Sequence, residues 1–349
     1  MTTSIQTPKP TKPWKPSTRE RLLDLSLIGS AFLASFLIVE FTELKGKLAY
    51  FTLFFLALAI LNFAKGAITR DVMIGKDQFF SAIMLLGMTL VILPTASILF
   101  TVFDRGRKGI HAGLFTNDMS VATPSDPITS GGLLHAIVGT ILLVSVALVL
   151  SLPIGILTAL YLTEIKGRFT RPIRFLVQAM SGVPSIVAGL FILSSIVYTV
   201  TKSYSGIMGS LALTILMIPT IARTAEEVLN LIPNDLREAG VALGGTQWRT
   251  VAMVVVPAAK SGLITAVILG VARIVGETAP ILLLTGGGDA VNLNPASGSM
   301  GSLPFYIWKS FLLGTEESIT RGWAGLLVLL VLVLSLFTIA RVLGSRRTK

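Results

Sequence analysis

Glu238-Ala239-Gly240, then Gly244, then Val254-Val255-Val256-Pro257 form a small polar island between two apolar spans, rich in helix punctuation and ringed by basic residues. Pro233 and Asn234 open it, since Pro suits a first helical turn and Asn is a good cap. Leu236, Ala239, Gly240 and Leu243 recur at helical spacing and give one narrow, small-residue face. Gly244-Gly245 ends that helix, and Thr246 can cap the next. A helix of two turns is too short to be stable alone in water. It needs a groove to sit in. Spacing alone also fits an ordinary interhelical loop, so the rest of the chain has to decide.

Composition fixes the class. Hydrophobic residues make up 52% and charged residues 13%, and the mean hydropathy is +0.79, whereas soluble domains carry roughly 25% charge. With no cysteine, neither disulfides nor a cysteine-bearing metal site can contribute. His111 and His135 are isolated and read as loop or interfacial residues, not metal ligands. Eight apolar spans are expected at 22–42, 48–64, 81–103, 132–162, 175–200, 206–222, 261–285 and 323–343, compatible with the roughly 17–25 residues a bilayer requires. The second is only marginally long enough. The fourth carries Pro153 and is expected to kink, and the sixth to end near Pro219. The fold class is an all-α polytopic membrane protein.

Lys and Arg choose the orientation. With both termini cytoplasmic, the inside segments hold the N-terminal lysines, Lys65, Arg70 and Lys76, the group Lys166 to Arg174, the group Arg223 to Lys260, and the C-terminal basic end. The outside loops hold far fewer, among them Arg105, Lys202, Lys309 and Arg321. This is the positive-inside bias, and it puts the Glu238 island in the cytoplasm. The net charge of +11 is therefore mostly a topology signal. No nucleic-acid partner is expected, because the basic residues are spread over short loops. The Pro- and Lys-rich tail, residues 1–21, should be disordered. The loop 104–131 should face outside, and Leu303 to Leu313 in the loop 286–322 should form a short interfacial helix.

A second feature lies within the seventh span. Arg273 and Glu277, four residues apart on one helix, would share a face, and ionisable residues in a span usually face a bundle interior or a watery path. Gly276 and Pro280 flank Glu277, and Pro280 leaves the Gly276 carbonyl without its helical donor, so a kink is expected. The pair reads equally as a register-fixing ion pair and as lining of a substrate path. In span five Ser181, Ser185 and Gly189, with Pro184 among them, recur at four-residue intervals and would let a neighbouring helix approach closely.

The polar island resembles the cytoplasmic EAA loop of ABC-importer permeases, with Gly240 where the second alanine would stand. Arg273-Ile274-Val275-Gly276-Glu277-Thr278-Ala279-Pro280 resembles the signature of the PstA-type permeases of phosphate importers. The paired PstC type usually continues Gly-Glu-Thr with Met-Ala, not Ala-Pro. Pro184 to Phe191, Ile221 to Glu226, Leu152 to Leu162 and Leu303-Pro304 agree, and the resemblance covers roughly 81–349.

The resemblance implies a type I ABC-importer bundle of six core helices, residues 76–349, with a coupling loop at 223–260. Two extra helices at 22–75 have no counterpart in it. It implies ATPase coupling through Glu238, Ala239, Gly240, Gly244 and Pro257, and an anion path served by Arg273, Glu277 or Arg223. Arg223 reads first as a residue snorkelling at the cytoplasmic interface, and only second as part of the path. The implied partners are a PstC-type permease, a dimer of PstB-type ATPases and a phosphate-binding protein. ATP and Mg would sit on the ATPase and no cofactor on this chain. The implied place is the bacterial cytoplasmic membrane. A PstC-type role and another oxyanion remain alternatives, since no residue spells out phosphate. A channel working without ATP is disfavoured by the Glu238 loop. A membrane enzyme is disfavoured by the lack of a phosphate loop, a metal motif or a catalytic pair.

Overall fold

The structure, a computed structural model, describes residues 18–42, 46–69 and 71–345. Residues 1–17 of the tail lie outside these, as do Arg70, Arg346, Arg347 and Lys349. Residues 18–21, expected in the tail, instead open the first helix. The described residues form helices and loops, with one isolated bridge between Gly286 and Met300. Their contacts divide them into two units after Leu99.

The first unit holds α1 (Thr18–Phe41), α2 (Lys47–Thr69) and most of α3 (Val72–Gly106). The division therefore falls inside α3, not before residue 76. An ion pair between Lys65 and Asp24 ties α1 to α2. Gly66 and Gly75 let α2 and α3 meet backbone to backbone: a Cβ on Gly66 would lie 2.7 Å from the Gly75 Cα.

The second unit begins with the end of α3 and α4 (Leu134–Leu160), which continues as a π turn, Tyr161–Ile165. Next come α5 (Thr170–Ser181), α6 (Ser185–Ile192) with a π-helical extension Leu193–Thr201, and α7 (Gly206–Asn230). The short α8 (Asn234–Ala242) and α9 (Gln247–Thr250) lead through a π turn, Val251–Val255, into α10 (Val256–Val275). The chain ends with α11 (Ala279–Leu284), α12 (Leu303–Leu313) and α13 (Glu316–Ser345). Among the described residues seven helical stretches are long and apolar enough to cross a membrane, or eight if α5 and the α6 helix count as one span.

The axis of the second unit is α7. Within its apolar window 67% of residues are buried, against 33% or less in the other spans. Ile221, fully buried, shows how the neighbours close on it. A Cβ on Gly155 of α4 would lie 2.7 Å from the Ile221 side chain, and one on Gly270 of α10 would lie 2.8 Å from it. Small residues on both flanking helices thus allow the close approach that drives packing in bilayers.

Four expected spans are corrected. The third, expected at 81–103, begins already at Val72 and runs to Gly109. The sixth does not end near Pro219: α7 runs through it to Asn230, and Pro219 is buried. A membrane bundle tolerates the proline because packed neighbours hold the helix on either side of it. The fifth is not one helix. Pro184 is extended (ψ 138°) and stands just before α6, so the chain turns by 103° between Ser181 and Ser185. The seventh starts at Gln247, well before residue 261, and ends at Val275, with α11 after a break.

The expected helix Leu303–Leu313 exists with those bounds, but it is not a free interfacial helix. Leu303, Pro304, Tyr306, Ile307 and Ser310 are buried, against α13 and α4. Beyond it the loops form a polar cap. Arg321, 3% exposed, donates to the carbonyls of Thr123, Pro124, Asp126, Pro127 and Ser130, fastening that loop to α13. Asp118 accepts from the Ser120 hydroxyl and amide and from the Val291 amide, which holds its carboxyl below the ordinary range. His135 is no loop residue: it lies in the first turn of α4, buried, edge-on to Tyr306.

Candidate coupling and translocation sites

The segment α8–α9 is built much as its residues dictate, with one difference. Pro233, not Asn234, holds the cap position of α8, and Asn234 is its first residue. The Asn234 side chain accepts instead from Arg237 Nη1, at 3.4 Å. The helix ends at Ala242 with Leu243 as its cap, and Gly244 after it takes a φ of +84° that suits glycine. Thr246 then caps α9, accepting from the Arg249 amide. Pro257 follows the π turn Val251–Val255, a wider turn that accommodates a residue without an amide donor.

Gly240 has a steric reason. A Cβ there would lie 2.4 Å from Thr250 Cγ2 and 2.9 Å from its Oγ1. The departure from the second alanine of the EAA pattern is therefore matched to Thr250, which is buried under α8. We expect Gly240→Ala to destabilise this segment by about 1–3 kcal/mol, the usual cost of overpacking. Gly240→Ala combined with Thr250→Ala should recover most of it. Proteolysis of the 233–250 segment in membranes checks both; equal lability of single and double variants would refute the contact.

No side chain of α8 is buried. The segment offers apolar surface outward: Leu243 is 90% exposed, Trp248 63% and Val241 54%. Glu238 and Ala239 are exposed beside them, and Glu238 makes no ion pair within the described residues. An exposed apolar patch carrying an unpaired charge is the signature of a docking surface. On the opposite side the segment is clasped. Arg237 Nη2 lies 2.8 Å from Glu164 Oε1 and its Nε 3.1 Å from Oε2, while Nη1 and Nη2 also donate to the carbonyls of Ile232 and Leu229. Gln247 Nε2 donates to the Glu164 carbonyl at 2.6 Å. Beside it Arg174 of α5 pairs with Glu226 of α7 at 2.7 Å. The sequence reading weighed these arginines only as orientation signals. Glu164 is 73 residues from Arg237, and no periodicity links them.

The second site is a pair of helix breaks. Ser181 closes α5, bonded to the Val177 carbonyl, while Ser185 and Gly189 belong to α6, so the three do not form one stripe. Gly189 still serves close packing, but toward α11: a Cβ there would lie 2.9 Å from the Pro280 Cα. Helix α6, which follows Pro184, and α11, which carries Pro280 in its first turn, thus pack together. At the second break Gly276 closes α10, Pro280 stands in the first turn of α11, and the Thr278 hydroxyl donates to the freed Gly276 carbonyl at 3.4 Å. The expected kink is a full interruption.

It also separates Arg273 from Glu277. They do not share a helix and no ion pair joins them, so the register-pair reading fails here. Arg273 is exposed and Glu277 half-buried, and nothing of the chain lies within 4 Å of where a Gly276 Cβ would stand. Arg223 is also exposed, on α7 two turns before its end, and not at a helix terminus. A separate cavity of about 260 Å³ lies between α4, α10 and α13. Its lining is apolar apart from Thr140 and Ser145, which suits no dianion.

Residues 151–349 match the family described as binding-protein-dependent transport system inner membrane component. The chain is 35% identical to a phosphate transport system permease protein PstA 1 of Mycobacterium tuberculosis, over 78% of this chain and 90% of that protein. It is 40% identical to a phosphate transport system permease protein PstA of Pasteurella multocida, over 72% of this chain and 88% of that one. A crystal structure of a bacterial ABC transporter that imports the acidic polysaccharide alginate shares the fold, with a TM-score of 0.55 at 14% identity. That match covers 78% of this chain and 98% of the other.

Proposed function

The chain belongs to the PstA-type permeases of phosphate ABC importers, and on that premise we propose how its parts divide the work. It is a multi-pass subunit of the inner membrane that carries inorganic phosphate inward, and it works in an ABC importer with a partner permease and an ATPase. The partner permease is of the PstC type, the ATPases are a PstB-type dimer that holds ATP and Mg, and a phosphate-binding protein delivers the ligand on the outer side. Both termini and the segment α8–α9 face the cytoplasm, as the distribution of Lys and Arg supports.

The observation that carries this reading is the outward face of α8–α9. It presents Glu238, Val241, Leu243 and Trp248 to solvent while no α8 side chain is buried. Such a face needs a partner, and ATP-driven closure of an ATPase dimer gripping it would shift the bundle between two packings. Arg273, Glu277 and the open face at Gly276 line the path, since an unpaired arginine in a span is costly against lipid and stable against water or a partner subunit. Phosphate uptake in proteoliposomes holding the whole complex tests the assignment. Uptake that survives vanadate, or omission of the ATPase, would refute it, and competition by other oxyanions tests the substrate.

The first two helices stand apart from this machinery. The M. tuberculosis relative aligns with 78% of the chain and is itself covered to 90%, so its bundle is nearly complete without the remainder. A chain starting at Val72, which keeps α3 whole, should therefore sustain uptake within about twofold. Loss of uptake from a truncated chain that still assembles would place α1 and α2 in the transport machinery.

A further inference from the structure

We infer that Arg237 and Glu164 are the link through which movement of α8 reaches the transmembrane helices. This rests on the reading of α8 as the segment an ATPase grips, and it assigns to two further residues the transmission of that grip. They are positioning residues, and both side chains are more shielded than the exposed residues of the docking surface.

The argument starts from what else could hold α8. None of its side chains is buried, so no apolar face anchors it to the bundle. Its backbone touches Thr250 at Gly240 and packs along the π turn Val251–Val255, both on the chain that follows it. Toward the ends of α4 and α7 it is held by the Arg237 side chain. Its planar guanidinium spans three elements at once: the Glu164 carboxylate beyond α4, the Leu229 carbonyl in the last turn of α7, and the Ile232 carbonyl after it. A lysine could not reach all three from one rigid fork. Glu164 is 6% exposed, so this pair is shielded from solvent as few surface pairs are.

Glu164 is well placed to receive motion. It lies in the π turn Tyr161–Ile165, and Lys166 after it adopts a left-handed backbone (φ 49°) that ends the helix. Just beneath, Ala159 and Leu160 of α4 share an apolar cluster with Ala225 and Leu229 of α7 and with Val251 and Val255 before α10. Displacing α8 would pull on Glu164 and on the end of α7 together. The Gln247 side chain on the Glu164 carbonyl adds a second tie from α9. Arg174–Glu226, by contrast, joins α5 to α7 without touching α8 and is more exposed, so it cannot serve this purpose.

The test uses the complete complex in proteoliposomes, with partner permease, ATPases and phosphate-loaded binding protein. In Glu164→Gln we expect the ATPase to co-purify and its basal rate to hold. Stimulation by loaded binding protein and phosphate uptake should both fall about tenfold, the size of a lost coupling contact. Adding Arg237→Lys should cost little more, because both changes break one link. If Glu164→Gln fails to insert, Arg237→Lys alone, which keeps the charge and loses the fork, carries the same comparison. Stimulation within twofold of the unaltered complex would overturn the inference, and so would loss of the co-purifying ATPase, which would make the pair a support for docking. Failure of the underlying reading looks different: Glu238→Lys would then keep both its ATPase and its uptake.

Discussion

Glu238→Lys is expected to abolish phosphate uptake while the protein reaches the membrane in normal amount. The reason lies in what Glu238 lacks. It is exposed on α8 and makes no ion pair with the described residues, so reversing its charge removes nothing from the fold. Exposed substitutions of this kind usually alter stability by less than about 0.5 kcal/mol. Any large effect must come through a partner. Loss of one central docking charge should weaken ATPase binding by about 30-fold or more, as at interface hot spots. Gly244 probes the same surface from the backbone. Its φ is +84°, and nothing lies within 4 Å of where a Cβ would be. The obstacle to substitution is therefore conformational, not spatial. Gly244→Val should misdirect the turn between α8 and α9 and lose uptake, whereas Gly244→Asn, which tolerates a left-handed backbone, should lose much less. ATPase co-purification and membrane abundance measured together check the series. Full uptake in Glu238→Lys, or equal effects of Val and Asn at 244, would show the docking face to lie elsewhere.

How far the sequence could be read depended on the range of the forces involved. The spans were legible because bilayer thickness demands a long apolar run, and 22–42 and 132–162 come close to the helices observed. The turn at Gly244-Gly245 and the cap at Thr246 were legible because both act over three or four residues. The breaks were harder. The span 175–200 reads as one apolar stretch despite Ser181-Gly182 and Pro184-Ser185 within it, yet the chain turns by 103° there. At Pro219 the opposite happened, since buried packing on both sides of α7 kept the helix intact where local propensity would end it. Gly240 read as a departure from a motif until Thr250 was found against it, ten residues on. The Arg237–Glu164 clasp was out of reach because a guanidinium that counts as a topology charge in sequence becomes a three-way tie only once the ends of α4 and α7 meet the start of α8.

Arg273→Gln is expected to lower uptake about 10- to 100-fold, the range for losing one charge-assisted hydrogen bond to an anion. The charge-swapped protein, Arg273→Glu with Glu277→Arg, should be no better. In one continuous helix these residues would have faced each other, and swapping them would have preserved a pair. The interruption at Gly276–Thr278 leaves Arg273 on α10 and Glu277 in the break after it, without an ion pair, so the swap has nothing to restore. It would instead place a carboxylate where the dianion passes. Arg273→Lys separates charge from shape: it keeps the positive charge and loses the fork that fits an oxyanion, so its uptake should fall between the unaltered protein and Arg273→Gln. Since Arg273 is exposed in this chain, poor folding is a lesser concern than it would be for a buried pair. Membrane abundance and phosphate-dependent ATPase activity, measured beside uptake, distinguish a blocked path from poor assembly. Uptake near normal in the charge-swapped protein would mean that the two residues do pair in another state of the transporter, and the pathway role of Arg273 would then be wrong.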